Sequence, residues 1–175
     1  MNKILIFGNS GSGKSWLSGE LSKRTKSLEV NLDSIFWLPG GYFQKRSQEA
    51  IDQRINEIKS NDNWVVEGVF GSLIEKFIPA ASEIIFLDLP WDECKGNLIN
   101  RGSESSKQLN QDLAERNFNK LVTWASEYKN RSSKASYSFH NQLFQSFQRK
   151  KHRLKNREEI NLYLSQASSQ TCTYT

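Results

Sequence analysis

Residues 8–15, Gly-Asn-Ser-Gly-Ser-Gly-Lys-Ser, follow directly on the apolar run Lys3-Ile4-Leu5-Ile6-Phe7. The run reads as a buried strand, and Leu17 and Leu21 behind the bend read as one face of a helix. A chain that passes from strand to helix over such a glycine-rich turn has few folds open to it. Gly8, Gly11 and Gly13 let the backbone take positive φ and approach a ligand closely. The N–H groups of Asn9, Ser10 and Ser12, and the helix start at Ser15 and Trp16, then form a concave anion site. Lys14 adds a point charge for β- and γ-phosphates, and the Ser15 hydroxyl is placed to ligate Mg²⁺. The plainer alternative is a glycine-rich turn that holds nothing.

Four further segments read as strands: Leu28-Glu29-Val30-Asn31-Leu32, Trp64-Val65-Val66-Glu67, residues 83–88 and the basic residues 151–154. Helical patterns lie over 44–60, 91–100, 108–130, 136–149 and 156–166, the last opening on Asn156 as N-cap. Alternating strands and helices with nearly continuous apolar strands predict an α/β fold, a parallel sheet covered on both faces. At 175 residues the chain suits one domain, over 1–166, with a polar tail at 167–175 that frays. No apolar run reaches the length of a membrane span, and the chain enters its first strand at once. A cytoplasmic protein without a leader is expected. Cys94 and Cys172 make no disulfide framework, and His140 and His152 are isolated, so histidine-based metal chemistry has no support.

Ligands of such sheets sit beyond the carboxyl ends of the strands. Three of those ends carry acids: Asp33, Glu67 and Asp88. Such acids suit a magnesium triphosphate and a hydroxyl nucleophile that needs a base. Asp33 and Glu67 also have a structural alternative, helix capping. Phe36 and Trp37 either cover a substrate or belong to the core, and Lys45, Arg46 and Arg54 are possible phosphate contacts. Residues 101–175 hold 13 basic against 6 acidic side chains, with a run at Arg149-Lys150-Lys151-His152-Arg153. That balance fits a cationic clamp or solvated surface better than a nucleic-acid face.

The motifs GNSGSGKS at 8–15, NLDSIFWLPGG at 31–41, NWVVEGVF at 63–70 and EIIFLDLPWDEC at 83–94, with Arg101, resemble the P-loop small-molecule kinases of the adenylate kinase type. They are most similar to the adenylate-kinase-related proteins labelled FlaR-type "DNA topology modulation" proteins. The resemblance implies a five-stranded parallel sheet of order 2-3-1-4-5 and a helical lid over about 101–117. It implies ATP and Mg²⁺, with the metal held by Ser15, Glu67 and, unless it serves instead as a structural brace of the loop region, Asp88. Glu67-Gly68 stands where adenylate kinases have Asp-Gly, and Gly68 then borders the substrate. Asp33 would orient or deprotonate the acceptor, beside Phe36, Trp37 and Arg54. Arg101 and Arg116 would close over the transferring group, and Lys155 and Asn156 would frame the nucleotide base. The activity implied is transfer of the γ-phosphoryl group to a small-molecule hydroxyl or phosphate. The alternatives are a nucleotide-regulated nucleic-acid-binding protein and a polynucleotide 5′-hydroxyl kinase. Acceptor and oligomeric state are left open.

Overall fold

Side chains alternate across a strand, and here both faces of the central strands are buried. On one face, Leu5 and Phe7 of β1 (Lys3–Gly8) join Trp64 and Val66 of β3 (Trp64–Gly68) and Ile84 and Phe86 of β4 (Glu83–Leu87). Ile4, Ile6, Val65, Ile85 and Leu87 fill the other face. The computed structural model describes residues 1–39, 44–103 and 111–169. Its edge strands are β2 (Leu28–Asn31) and β5 (Lys150–Leu154). All five strands run parallel in the order β2-β3-β1-β4-β5, so the doubly covered 2-3-1-4-5 sheet is the fold.

Helices α1 (Lys14–Thr25), α5 (Trp91–Arg101) and α8 (Arg157–Ser169) cover the second face, burying Leu17, Leu21, Cys94, Ile160, Tyr163 and Leu164. Burial pushes the Cys94 thiol up to about 11, which fits an inert core residue. The first face is covered by α2 (Leu32–Phe36), α3 (Gln48–Lys59), α4 (Gly71–Phe77) and α7 (Tyr137–Ser146). Helix α6 (Gln111–Ser126) ends in a 3₁₀ turn at Glu127–Lys129. Among the described residues no helix is long and apolar enough to cross a membrane.

Several boundaries differ from the expected ones, each for a local reason. Strand β2 stops at Asn31 because its side chain accepts the Asp33 N–H at 2.7 Å and starts α2. Asp33 therefore lies in the first turn of a helix and does not end a strand, and Asn31 is the cap. Helix α3 begins at Gln48, with Ser47 accepting the Ala50 N–H at 3.2 Å. The residues before it run antiparallel to the end of α2, through a Trp37–Lys45 bridge. Helix α4 is new; seven residues are too few for a periodic signal. Helix α8 continues to Ser169, past the expected start of the tail, and residues 170–175 lie outside the described ones.

Gly68 is a packing glycine. A Cβ there would come within 2.7–2.9 Å of the Leu32 side chain, which is fully buried. Gly68→Ala is expected to lower stability by about 1–3 kcal/mol through overpacking, read as a lower melting temperature. An unchanged melting temperature would contradict this contact.

Candidate active site

The strand order brings the carboxyl ends of β2, β3 and β1 side by side, with Ile6 opposite Glu67 and Asn31 opposite the same Glu67. The glycine loop bends out of β1 directly above them. Gly11 adopts φ 80° and Gly13 φ 90°. At Gly11 a side chain is excluded twice over, since a Cβ would also lie 2.3 Å from the Cys94 carbonyl oxygen. The loop is tied on both flanks. Asn97 Nδ2 of α5 donates to the Gly11 carbonyl at 2.9 Å. Asn9 Nδ2 donates to the Ala125 carbonyl of α6 at 3.0 Å, while its Oδ1 accepts the Ser10 N–H at 2.9 Å.

Lys14 is buried, and its ammonium donates to the Asn9 carbonyl at 2.7 Å. An ammonium carries three donors, so two remain for incoming oxygens. Burial lowers its pKa, and the charges of Glu67 and Asp33 pull it back up. Ser15 Oγ donates to Glu67 Oε1 at 2.7 Å, joining the helix start to the end of β3. Burial raises the pKa of Glu67, against the pull of Lys14 and of the Ser15 bond. Burial likewise raises that of Asp33, opposed by the charges of Lys14 and Arg101. These couplings place Lys14, Glu67, Asp33 and Arg101 in one electrostatic neighbourhood.

That neighbourhood fits a phosphate chain with a hard cation. The loop offers a buried cation, while the Ser10 and Ser12 N–H groups anticipated for an anion are bonded within the loop, to Asn9 Oδ1 at 2.9 Å and to the Asn9 carbonyl at 3.3 Å. Ser15 with Glu67 offers a hydroxyl and a carboxylate, the oxygen donors that Mg²⁺ takes. Among the described residues no group of three or more His, Cys, Asp or Glu stands ready to hold a metal.

Phe36 of α2 and Phe70, the residue before α4, are partly buried and pack against the core of the first face. Phe36 stacks on Phe70 with centroids 4.6 Å apart, and Trp37 meets Phe36 edge-on at 4.7 Å. Lys45 Nζ sits 5.0 Å over the Phe36 ring. Phe70 was not anticipated; its position two residues past the Glu67-Gly68 pair was the available signal. Trp16, beside Ser15 on α1, is 52% exposed.

Other anticipated residues are engaged elsewhere. The Asp88 carboxylate is held by Arg153, Nε at 2.9 Å and Nη2 at 2.6 Å, bracing β4 to β5. Gly68 is covered by Leu32. Asn156 caps α8 by accepting the Glu159 N–H at 2.9 Å, and the Lys155 N–H donates to Glu159 at 2.7 Å. Arg54 and Arg116 are exposed on α3 and α6. Arg101 closes α5, and residues 104–110 of the anticipated lid lie outside the described ones.

The basic run is also engaged. Lys151 donates to the carbonyls of Phe144, Gln145 and Phe147 at 2.8–3.2 Å, closing the end of α7. Lys150 pairs with Glu83 at 3.1 Å, Arg149 binds the Ala81 and Pro79 carbonyls, and Arg153 holds Asp88. These charges serve internal contacts, with 53% of the Lys150 side chain still exposed.

No protein-family model matches the chain, and no curated protein shows a matching sequence. Its fold is shared with solved structures of shikimate kinases and a gluconokinase. It superposes on a shikimate kinase from Acinetobacter baumannii in complex with shikimate at TM-score 0.54, with 12% identity over 98% of this chain and 93% of that one. A gluconokinase from Sinorhizobium meliloti 1021 gives TM-score 0.54 and 12% identity over 97% and 95% of the two chains. A shikimate kinase from Bacteroides thetaiotaomicron gives 0.50 and 13% over 97% and 98%.

Proposed function

We propose that the chain is an ATP-dependent phosphotransferase that moves the γ-phosphoryl group of ATP to a hydroxyl of a small acceptor. The observation that carries this reading is the Ser15–Glu67 hydrogen bond at 2.7 Å beside the buried Lys14, within the electrostatic reach of Asp33. The fold shared with shikimate kinase and gluconokinase supports it. The motifs over residues 1–101, similar to the adenylate-kinase-related branch, point the same way.

In this reading the loop amides and Lys14 hold the phosphate tail, and Trp16 borders the nucleotide. Ser15 and Glu67 hold Mg²⁺, which when bound offsets charge on the phosphate oxygens. Asp33 orients the acceptor hydroxyl and takes its proton as the oxygen bonds to phosphorus and the β–γ bridge breaks. Arg101 stabilises charge on the transferring group. Phe36, Trp37 and Phe70 supply an apolar wall for the acceptor and help to exclude water. Most of the rate comes from orientation and charge placement, with little covalent work for the protein.

The test is ADP release from ATP with Mg²⁺ over a panel of polyols, hydroxy acids, nucleosides, nucleotides and 5′-hydroxyl oligonucleotides. Release above buffer with at least one small hydroxyl compound, together with a new phosphomonoester signal in ³¹P NMR, is expected. Absence of any acceptor-stimulated release, with no heat of ATP binding by calorimetry, would remove the proposal.

A further inference from the structure

His140 is a fully buried titratable side chain to which the transfer chemistry gives no role. Its Nε2 lies 3.1 Å from the Val69 carbonyl oxygen, and its Nδ1 lies 2.6 Å from the Tyr128 hydroxyl. A carbonyl only accepts, so Nε2 carries the proton and Nδ1 accepts from Tyr128. The ring is neutral: burial, then the charge of Lys14, holds its pKa down to about 3. It packs against Phe7, 5.4 Å away at the end of β1, and Phe86, 6.3 Å away.

Both ends of this hydrogen-bonded pair reach the site. Val69 is two residues past Glu67 and next to Phe70. Tyr128 is three residues past Ala125, whose carbonyl holds Asn9 of the phosphate loop at 3.0 Å. Three hydrogen bonds and the short chain segments between them thus link the phosphate loop, Ala125, Tyr128 and His140 to the segment carrying Glu67 and Phe70. The docking of the α6–α7 connection on α4 is equally tight, for a Cβ at Gly71 would lie 1.8 Å from the Lys134 carbonyl oxygen.

We propose that Tyr128 and His140 form a positioning pair that, through the Val69 carbonyl, sets the Glu67 carboxylate against Ser15 for metal binding. The inference rests on the nucleotide reading of Ser15 and Glu67. His140 touches no reacting atom; it acts through Val69. A buried carbonyl that loses its donor seeks another partner, and the backbone that moves with it carries Glu67.

Two amide substitutions separate the bonds. His140→Gln reaches the Nε2 position and keeps the donor to Val69. His140→Asn reaches only the Nδ1 position and loses it. The measurement is a Mg²⁺ titration of fluorescent ADP binding, beside ADP affinity in EDTA. His140→Asn is expected to raise the Mg²⁺ concentration for half-saturation about tenfold, as outer partners of metal ligands do, with metal-free ADP affinity unchanged. His140→Gln, which keeps the Val69 donor but gives up the Tyr128 bond, should raise that concentration by less, about two- to threefold. A purely structural role would lower melting temperature in both variants and leave the Mg²⁺ requirement of the folded protein alone.

Equal Mg²⁺ requirements in His140→Asn and wild type, or equal impairment of Asn and Gln variants, would overturn the inference while leaving the kinase reading intact. A wild type that binds ADP neither with nor without Mg²⁺ would overturn both. Should the Asn variant not fold, Tyr128→Phe provides the second test. It keeps the ring and the Val69 bond but frees Nδ1. A shift in Mg²⁺ requirement in the same direction supports the pair, and no shift overturns it. In ¹H–¹⁵N spectra of the wild-type imidazole, the Nε2–H form is expected; an Nδ1–H form overturns the assignment.

Discussion

Lys14→Met is expected to reduce ATP turnover to background while leaving the protein folded. The ammonium is buried, and the Asn9 carbonyl is its bonded partner at 2.7 Å. In the proposed reading phosphate oxygens take its remaining donors. Loss of charge-assisted bonds of this kind should weaken ADP binding about ten- to a hundredfold. Transfer should fall by roughly a further 10²–10³, because charge builds on the phosphoryl oxygens in the transition state. Stability should move the other way. Burial lowers the Lys14 pKa, so the folded state holds this charge reluctantly. Methionine fills similar space without it, and the Asn9 carbonyl keeps the Ser12 N–H at 3.3 Å. Melting temperature should be equal or higher. Wild-type turnover in this variant would end the proposed function.

Asp33→Asn should lower transfer by about 10²–10⁴, the range for a lost general base, with ADP affinity unchanged. The pH profile gives the sharper check. Burial raises the Asp33 carboxyl above its ordinary value of 3.8, while Lys14 and Arg101 oppose the shift. Only the ionised form takes a proton. At saturating Mg²⁺ the wild-type rate should therefore fall as pH drops through that raised value. Arg101→Met removes one of the two opposing charges, so the acid limb should move to higher pH. In Asp33→Asn the limb set by this group should vanish. An Arg101→Met limb that stays in place, or an Asn variant as fast as the wild type, would remove Asp33 from its role.

Parts of the site legible in the chain were those whose chemistry is local. The glycine loop declares itself because positive φ at Gly11 and Gly13 and the following lysine are all requirements of one bend. Glu67 was legible as the acid closing an apolar strand. Asp33 was found for a reason that needed correction: the strand stops at Asn31, and the carboxylate is presented by the first turn of α2. Short polar side chains both end strands and start helices, and their order along the chain does not say which role wins. A brace was one anticipated role of Asp88, but its partner Arg153 is 65 residues away, so nothing near Asp88 named that partner. His140 reads as isolated along the chain because both of its partners are brought to it by packing.

By itself the sequence determined the α/β class, the phosphate-loop bend and the carboxylates available near it, since these follow from alternation, glycine conformation and residue type over short spans. Only the tertiary structure decided which acids converge on Lys14, which basic side chains are already paired, and that Phe70, Asn97 and His140 belong to the same neighbourhood. Such outcomes depend on how separate elements come to rest against one another. Low-dielectric burial then sets the protonation of what they enclose, and neither is encoded in any local stretch of chain.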